Sequence, residues 1–388
     1  MEVLSGSVPM RRLVLPSLAL CAAQAASAQA ALRPVLPPGN PTPSLEETRA
    51  AMGIPSQGDL RGQRETLAFA SRAEQMARVW EAAAAGPAPE PLGPKPAPGV
   101  AGIICPHDDY LCTARVYREI IPLVTARTVV LAGVYHKHRR YGAREVMVFD
   151  PYRAWRSPDG EIPVSSIRGE VLARLDPSGY VQDAAGHDSE HSLEAIAYWL
   201  KHQTPGLEIL PVILPSAGFP RLRAMASDLA AALAAAMRQR GWALGRDLAI
   251  VISSDGMHYG EGYQYVPYGP GGVDALDQAL AFDRQLIATL LAGTVTLDKA
   301  QAFHATMVDP EHPDTYRRAW CGRFSIPFGL VLLLETARNL GLEPPRGMPV
   351  ALGCSVTTPE IPLREMGLGL TAPVNLYHFV TAPAIAFA

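Results

Sequence analysis

Residues Leu248 to Gly260 read LAIVISSDGMHYG: five apolar residues, two serines, then a polar run containing Asp255 and His258. An uninterrupted apolar run rich in β-branched residues suits a strand covered on both faces; a half-exposed strand would alternate. Strands covered in this way belong to sheets flanked by helices, which collect ligand-binding groups just beyond their strands' carboxyl ends. The same sequence of apolar run and polar cluster occurs twice more. Val100 to Cys105 leads into Pro106-His107-Asp108-Asp109-Tyr110, and Thr128 to Gly133 leads into Val134-Tyr135-His136-Lys137-His138.

Working outward, β-rich runs also occupy Glu145 to Phe149, Leu207 to Leu214, Val350 to Val356 and His378 to Phe387. Helical spacing of apolar residues marks the regions near Ala114 to Leu123, Ser192 to Lys201, Arg221 to Arg238, Val273 to Leu291 and Phe328 to Leu340. The alternation predicts an α/β domain over residues 99–388, with a mostly buried central β-sheet flanked by helices. Val129 to Ala132 and Ala249 to Ile252 are its expected central strands. Residues 31–98 read as a Pro34 to Pro43 tether, an amphipathic helix from Leu67 to Ala84 that packs on the domain, and a stiff Pro87 to Pro98 linker.

The first thirty residues follow another pattern. Arg11 and Arg12 precede the apolar run Leu13 to Ala23, and Ala26, Ala28 and Ala30 offer small-residue cleavage sites. This predicts a signal peptide over residues 1–30 and a periplasmic or secreted product, with Met10 as an alternative start. An intact N-terminus in the cytoplasm, read by N-terminal sequencing, would instead establish the cytoplasmic alternative. The apolar run is too short to span a bilayer. The 388 residues carry a formal charge of −3 with no continuous basic stripe, which excludes a nucleic-acid partner. Removing Cys21 with the leader leaves Cys105, Cys112, Cys321 and Cys354. Their spacing excludes zinc-ribbon and thioredoxin motifs and permits up to two disulfides without indicating a pairing.

Histidines at three strand ends point to a metal or proton-transfer site, because neutral imidazole is the commonest metal ligand and titrates near neutrality. A fourth cluster, His187-Asp188-Ser189-Glu190-His191-Ser192-Leu193-Glu194, is expected to open a helix with Ser189 or Ser192 as its cap. Asp255 and His258 could form a catalytic acid–base pair, and Glu190 and His191 could orient a ligand or water. Three rival sites are weaker. His187 and His191 stand four apart but lack a third ligand by spacing. Ser253, Ser254 and His258 lack the G-x-S-x-G elbow of a hydrolase. Gly260 to Gly272 lacks a phosphate-loop pattern. His304 and His312 are expected to be exposed beside a polar loop.

Taken together, the polar clusters resemble those of the Memo family, also called protein B of the AmmeMemoRadiSam set. The family motifs P-H-A-G-Y, G-P-S-H, E-H-S-x-E, S-S-D-x-x-H-x-G and I-C-G correspond to Pro106 to Tyr110, Gly133 to His136, Glu190 to Glu194, Ser253 to Gly260 and Trp320-Cys321-Gly322. The resemblance implies a fold like that of the class III extradiol dioxygenases and one transition-metal ion held by His107, His136 and Cys321. Cys321 would stand where those dioxygenases place a glutamate. A thiolate there suits iron or copper, with zinc also possible. Implied functions are a metal-dependent redox or dioxygenase-like enzyme acting on a small molecule or, alternatively, a non-catalytic protein that binds a metal or a partner. Amme-type and radical SAM partners are implied by the family name alone. Asp108, Asp109, Val134, Tyr135 and Lys137 depart from the family pattern and predict a more acidic, differently shaped pocket.

Overall fold

A computed structural model describes residues 41–388; the expected leader and most of the Pro34 to Pro43 tether lie outside the described residues. The strands that build the domain are β1 (Gly102–Cys105), β2 (Thr128–Val134), β3 (Met147–Phe149), β4 (Glu208–Leu214), β5 (Leu248–Ser253), β6 (Arg346–Cys354) and β7 (Phe379–Phe387). Their spatial order is β6-β7-β1-β5-β2-β4-β3, with short strands Gly293–Thr294 beyond β6 and Tyr180–Gln182 beyond β3. The four middle strands are parallel: Ile252 of β5 pairs in register with Ile104 of β1 and Ala132 of β2, and Ala132 pairs with Val212 of β4. Strands β7 and β3 run antiparallel to this block, as does β6 to β7.

Every residue of β5 is fully buried, as its unbroken apolar run predicts. Alternate side chains serve opposite faces. Ile103, Val129, Leu131, Ile209 and Val251 pack with α1 (Ala73–Ala84), α2 (Tyr110–Ile120) and α3 (Glu194–Gln203), through residues such as Met76, Tyr117 and Trp199. Ile104, Val130, Val212, Ile250 and Ile252 pack against α4 (Phe219–Arg240), α5 (Val273–Leu286), α6 (Leu297–Met307) and α7 (Ser325–Asn339). The connection from β1 through α2 to β2 steps over β5, and the connection from β4 through α4 returns across β2 to β5. Right-handed crossovers in opposite directions place their helices on opposite faces, as α2 and α4 are placed here. The same exchange leaves the carboxyl ends of β1, β5 and β2 side by side.

Several expected boundaries shift. Helix α1 starts at Ala73 rather than Leu67, because side chains draw the preceding backbone groups into an irregular loop. Glu65 accepts from the Leu67 and Ala68 N–H groups, and Gln63 donates to the Ala70 carbonyl. Within the Pro-rich segment, Glu90–Pro91 pairs with Leu352 and Ala351 of β6. The fourth polar cluster does not open one helix. His187 and Asp188 end a short helix, Ala184–Asp188, and α3 begins only at Glu194. Neither serine caps it: Ser189 Oγ donates to the Gly186 carbonyl and Ser192 Oγ to that of Val134.

His304, expected to be exposed, is buried within α6, with Nε2 bonded to the Ala217 carbonyl at 3.0 Å; His312 is exposed. Cys105, Cys112, Cys321 and Cys354 are all free and buried, so none of the permitted disulfides is present among the described residues. No described helix is long and apolar enough to cross a membrane.

Candidate metal centre

The loop after β1 carries His107, and the loop after β2 carries His136. Cys321 comes from a turn far along the chain that leads into α7. Main-chain and serine contacts lock this turn to the end of β5: the Gly322 N–H donates to Ser254 Oγ at 3.1 Å, Ser325 Oγ to the Ser253 carbonyl at 2.8 Å, and the Asp255 N–H to Cys321 Sγ at 3.0 Å. A Cβ on Gly322 would fall 2.2 Å from Ser254 Oγ, so the close approach requires glycine. Trp320 anchors the same turn through its buried indole N–H, which donates to Asp283 at 2.7 Å.

One ligand atom from each of His107, His136 and Cys321 lies within 4.8 Å of the other two. His107 Nε2 and Cys321 Sγ are 3.7 Å apart. Tetrahedral zinc bonds of ordinary length would separate nitrogen and sulfur by about 3.6 Å, so this edge fits a common ion.

Hydrogen bonding also orients both rings. Ser253 Oγ donates its proton to the Ser192 carbonyl at 2.5 Å and must therefore accept from His107 Nδ1–H at 2.7 Å. His136 Nδ1–H donates to Glu190 Oε1 at 2.9 Å. Each imidazole is left with its lone pair on Nε2. Metal-ligating histidines need this support from the opposite ring nitrogen.

Such a donor set, assembled from strand ends of an α/β sheet, matches the motifs that suggested it. A family profile described as Memo-like protein covers residues 69–342. The chain belongs to the Memo-like family. Similar proteins include MEMO1 family proteins of Thermococcus kodakarensis (27% identical over 196 residues) and Pyrococcus abyssi (26% over 196 residues). Each of these alignments covers 48% of this chain and 63% of the relative. A third, from Pyrococcus furiosus, is 25% identical over 217 residues, covering 53% of this chain and 70% of the relative. The chain thus spans less than two thirds of the first two relatives.

Around the Memo-like ligand set, the remaining expected residues take distinct places. Glu190 is buried and bonded on both oxygens: Oε1 also accepts the His191 and Ser192 N–H groups, and Oε2 accepts the His136 N–H at 2.6 Å. Burial alone would raise its pKa, but His136 and these donors hold it well below the usual carboxylate range. It is an orienting anion. His191 stacks on the His136 ring, 4.9 Å between centroids and 5° between planes, and burial lowers its pKa to about 4.

Asp255 Oδ1 accepts the His107 N–H at 2.7 Å, while Oδ2 lies 3.3 Å from His107 Nε2, at the edge of the ligand set. Burial pushes Asp255 up to about 7, against the lowering effect of the His107 N–H. His258 does not bond to Asp255; its Nδ1–H points to the carbonyls of Gly256 and Ala319 at 3.2 and 3.1 Å. That leaves a lone pair on its Nε2, and burial lowers its pKa to about 4. The expected acid–base pair is therefore two separate groups. Burial pushes the Cys321 thiol up, with Asp255 adding to the effect, and lowers His107 well below the usual imidazole range.

His187 turns away, bonding the Val148 carbonyl through Nε2 at 2.9 Å, so it forms no chelating pair with His191. Ser253 and Ser254 are committed to His107 and to the Asp255 carbonyl, not to His258. Sequence reasoning missed the ring-orienting role of Ser253, which rests on contacts with His107 and Ser192 far away in the chain. Arg61, whose guanidinium donates to the Glu190 carbonyl, carried no local signal.

Proposed function

We propose that this Memo-like chain holds one transition-metal ion at His107, His136 and Cys321 and acts as a metal-dependent redox or dioxygenase-like enzyme on a small molecule. The observation that carries the reading is the convergence of two Nε2 lone pairs and one sulfur, each ring fixed through its other nitrogen. Two imidazoles with a thiolate suit iron or copper, and zinc also fits the geometry. When bound, the ion would supply Lewis-acid or redox chemistry at this point.

The chain's own residues add the rest. His258 Nε2, neutral at pH 7, can accept a proton from a ligand in the crevice, and the raised Asp255 carboxyl can hold or release one near neutrality. His191 Nδ1, 3.6 Å from Glu190 Oε1, lines the His136 side of the site and can orient a ligand or water. The relation to class III extradiol dioxygenases belongs to this proposal. So does a periplasmic or secreted location.

A second reading, a non-catalytic metal- or partner-binding protein, is favoured by one feature: a thiol occupies the third ligand position in place of the carboxylate of dioxygenases. Metal analysis of wild type against His107→Ala and Cys321→Ser tests the centre. Wild type should hold about one ion and each variant much less, and equal content in all three would remove the site. Oxygen uptake with catechol-like compounds then separates the readings, since metal-loaded protein that takes up none would favour binding without catalysis.

A further inference from the structure

The residues that fix His136 are themselves fixed from outside the family match. Residues 49–65 engage the segment from His187 to Glu194 through buried and half-buried polar contacts. Arg61, 1% exposed, donates from Nη1 to Glu194 Oε1 at 2.7 Å and from Nη2 to the carbonyls of His187 and Glu190 at 2.7 and 2.6 Å. Its Nε adds a 3.2 Å bond to the His187 carbonyl, and its guanidinium lies 4.2 Å from the Trp155 ring centroid. Glu194 also accepts the main-chain N–H groups of Arg64 and Glu65 at 2.6 and 3.0 Å. Nearby, Asp188 accepts from Ser56 Oγ at 2.7 Å, Arg49 Nε at 3.2 Å and Tyr152 Oη at 2.6 Å.

A buried ion pair gives weak evidence of net stabilisation, because desolvating two charges offsets most of their attraction. Arg61 does something more specific. Its planar fork ties together two carbonyls and a carboxylate from the segment between the end of the short helix and the start of α3, and one of those carbonyls belongs to Glu190. The Glu190 carboxylate in turn holds His136 at both ring Nδ1 and main-chain N. A chain of two contacts therefore runs from Arg61 through Glu190 to the His136 ring, which shares the candidate site with His107 and Cys321.

We infer that Arg61 is a positioning residue of the metal centre: from a segment preceding the matched residues 69–342, it sets the Glu190 peptide so that the carboxylate fixes the His136 ring. The effect on metal affinity rests on the proposed metal-binding function; the effect on the ring does not. A lysine at this position would keep a positive charge near Glu194, but its single ammonium cannot reproduce the fork.

The test compares full-length wild type, Arg61→Lys, Glu190→Gln and the double variant, using zinc(II) alone as the probe and 15N ring shifts of His136 in metal-free protein. Wild type should show His136 protonated at Nδ1, and Arg61→Lys a mixture of tautomers. Zinc affinity should fall about 10-fold in Arg61→Lys and about 10- to 100-fold in Glu190→Gln. The double variant should be no weaker than Glu190→Gln, since the arginine acts through the glutamate. Additive losses, or an unchanged His136 ring in folded Arg61→Lys, would overturn the inference.

If wild type binds no zinc, the metal reading fails, and the ring shifts still decide the role of Arg61. If Arg61→Lys does not fold, Ser56→Ala, which loosens the adjacent Asp188 anchor, should shift the same ring signal. An unmoved signal there overturns the inference as well.

Discussion

Ser253 illustrates how one hydroxyl can select the chemistry of a neighbouring ring. Its proton is committed to the Ser192 carbonyl, so it can only accept from His107, and His107 must present Nε2 to the ion site. Ser253→Ala removes the acceptor from a buried N–H and strands a buried carbonyl, each costing roughly 1–3 kcal/mol. Metal affinity should fall about 10- to 100-fold, as for other groups that orient a ligand, while a folded protein remains. Chelator-competition titration checks this, and unchanged affinity would mean that His107 needs no such orientation. The histidines were legible in sequence because a histidine just beyond a buried strand stands where such sheets collect ligands, whereas Cys321, in a turn before α7, was named only by its resemblance to a family motif. The serine's role was not legible, since a serine closing a buried strand has many uses and only its partners distinguish them.

At the scale of elements, α7 lies close enough to β5 that Gly329 has no room for a side chain. A Cβ there would stand 2.4 Å from Cδ1 and Cγ1 of Ile252. Alanine in an exposed helix would gain about 1 kcal/mol over glycine, but overpacking a core costs typically 1–3 kcal/mol. Gly329→Ala should therefore destabilise the protein by about 1–2 kcal/mol, read as a lower midpoint in chemical denaturation; a higher midpoint would show that the helix moves away freely. Because α7 begins just after Cys321, the same variant should loosen the metal centre. Strands β1 to β7 were legible from their apolar runs. Helix α6 was missed despite a usable signal: Leu297, Ala300, Phe303 and Met307 recur at helical spacing behind the Thr296 cap, which accepts the Lys299 N–H at 3.2 Å. The short strands Leu60–Arg61, Ala154–Ser157 and Gly160–Pro163 form a small separate sheet, and so few residues carry no periodicity of their own.

For the molecule as a whole, acid should be a strong denaturant, because its folded state keeps histidines neutral. His187 is buried away from the candidate metal ligands, and burial lowers its pKa from the ordinary imidazole value to about 3; that of His304 is lowered as well, by the same cause. At His187 the unfolded chain binds a proton below pH about 6.5, whereas the folded chain resists until about 3. Stability is thus fully present above the unfolded value and declines as pH falls through the interval. His187 alone would contribute on the order of 5 kcal/mol across that interval. Denaturation midpoints between pH 7 and 4 should fall steeply, and less steeply in His187→Gln; an identical slope in the variant would show that His187 does not drive it.

Amino-acid order by itself determined the α/β class, the central strands and the residue types at their ends, because burial on both faces restricts side chains locally and the polar residues beyond each strand follow directly in the chain. Only the tertiary structure decided which nitrogen each histidine presents, that Cys321 reaches the end of β5, and that Arg61 braces the segment holding His136. Those outcomes depend on strand order, on which hydroxyl has already given its proton away, and on contacts between residues more than fifty positions apart, none of which leaves a periodic trace in the chain.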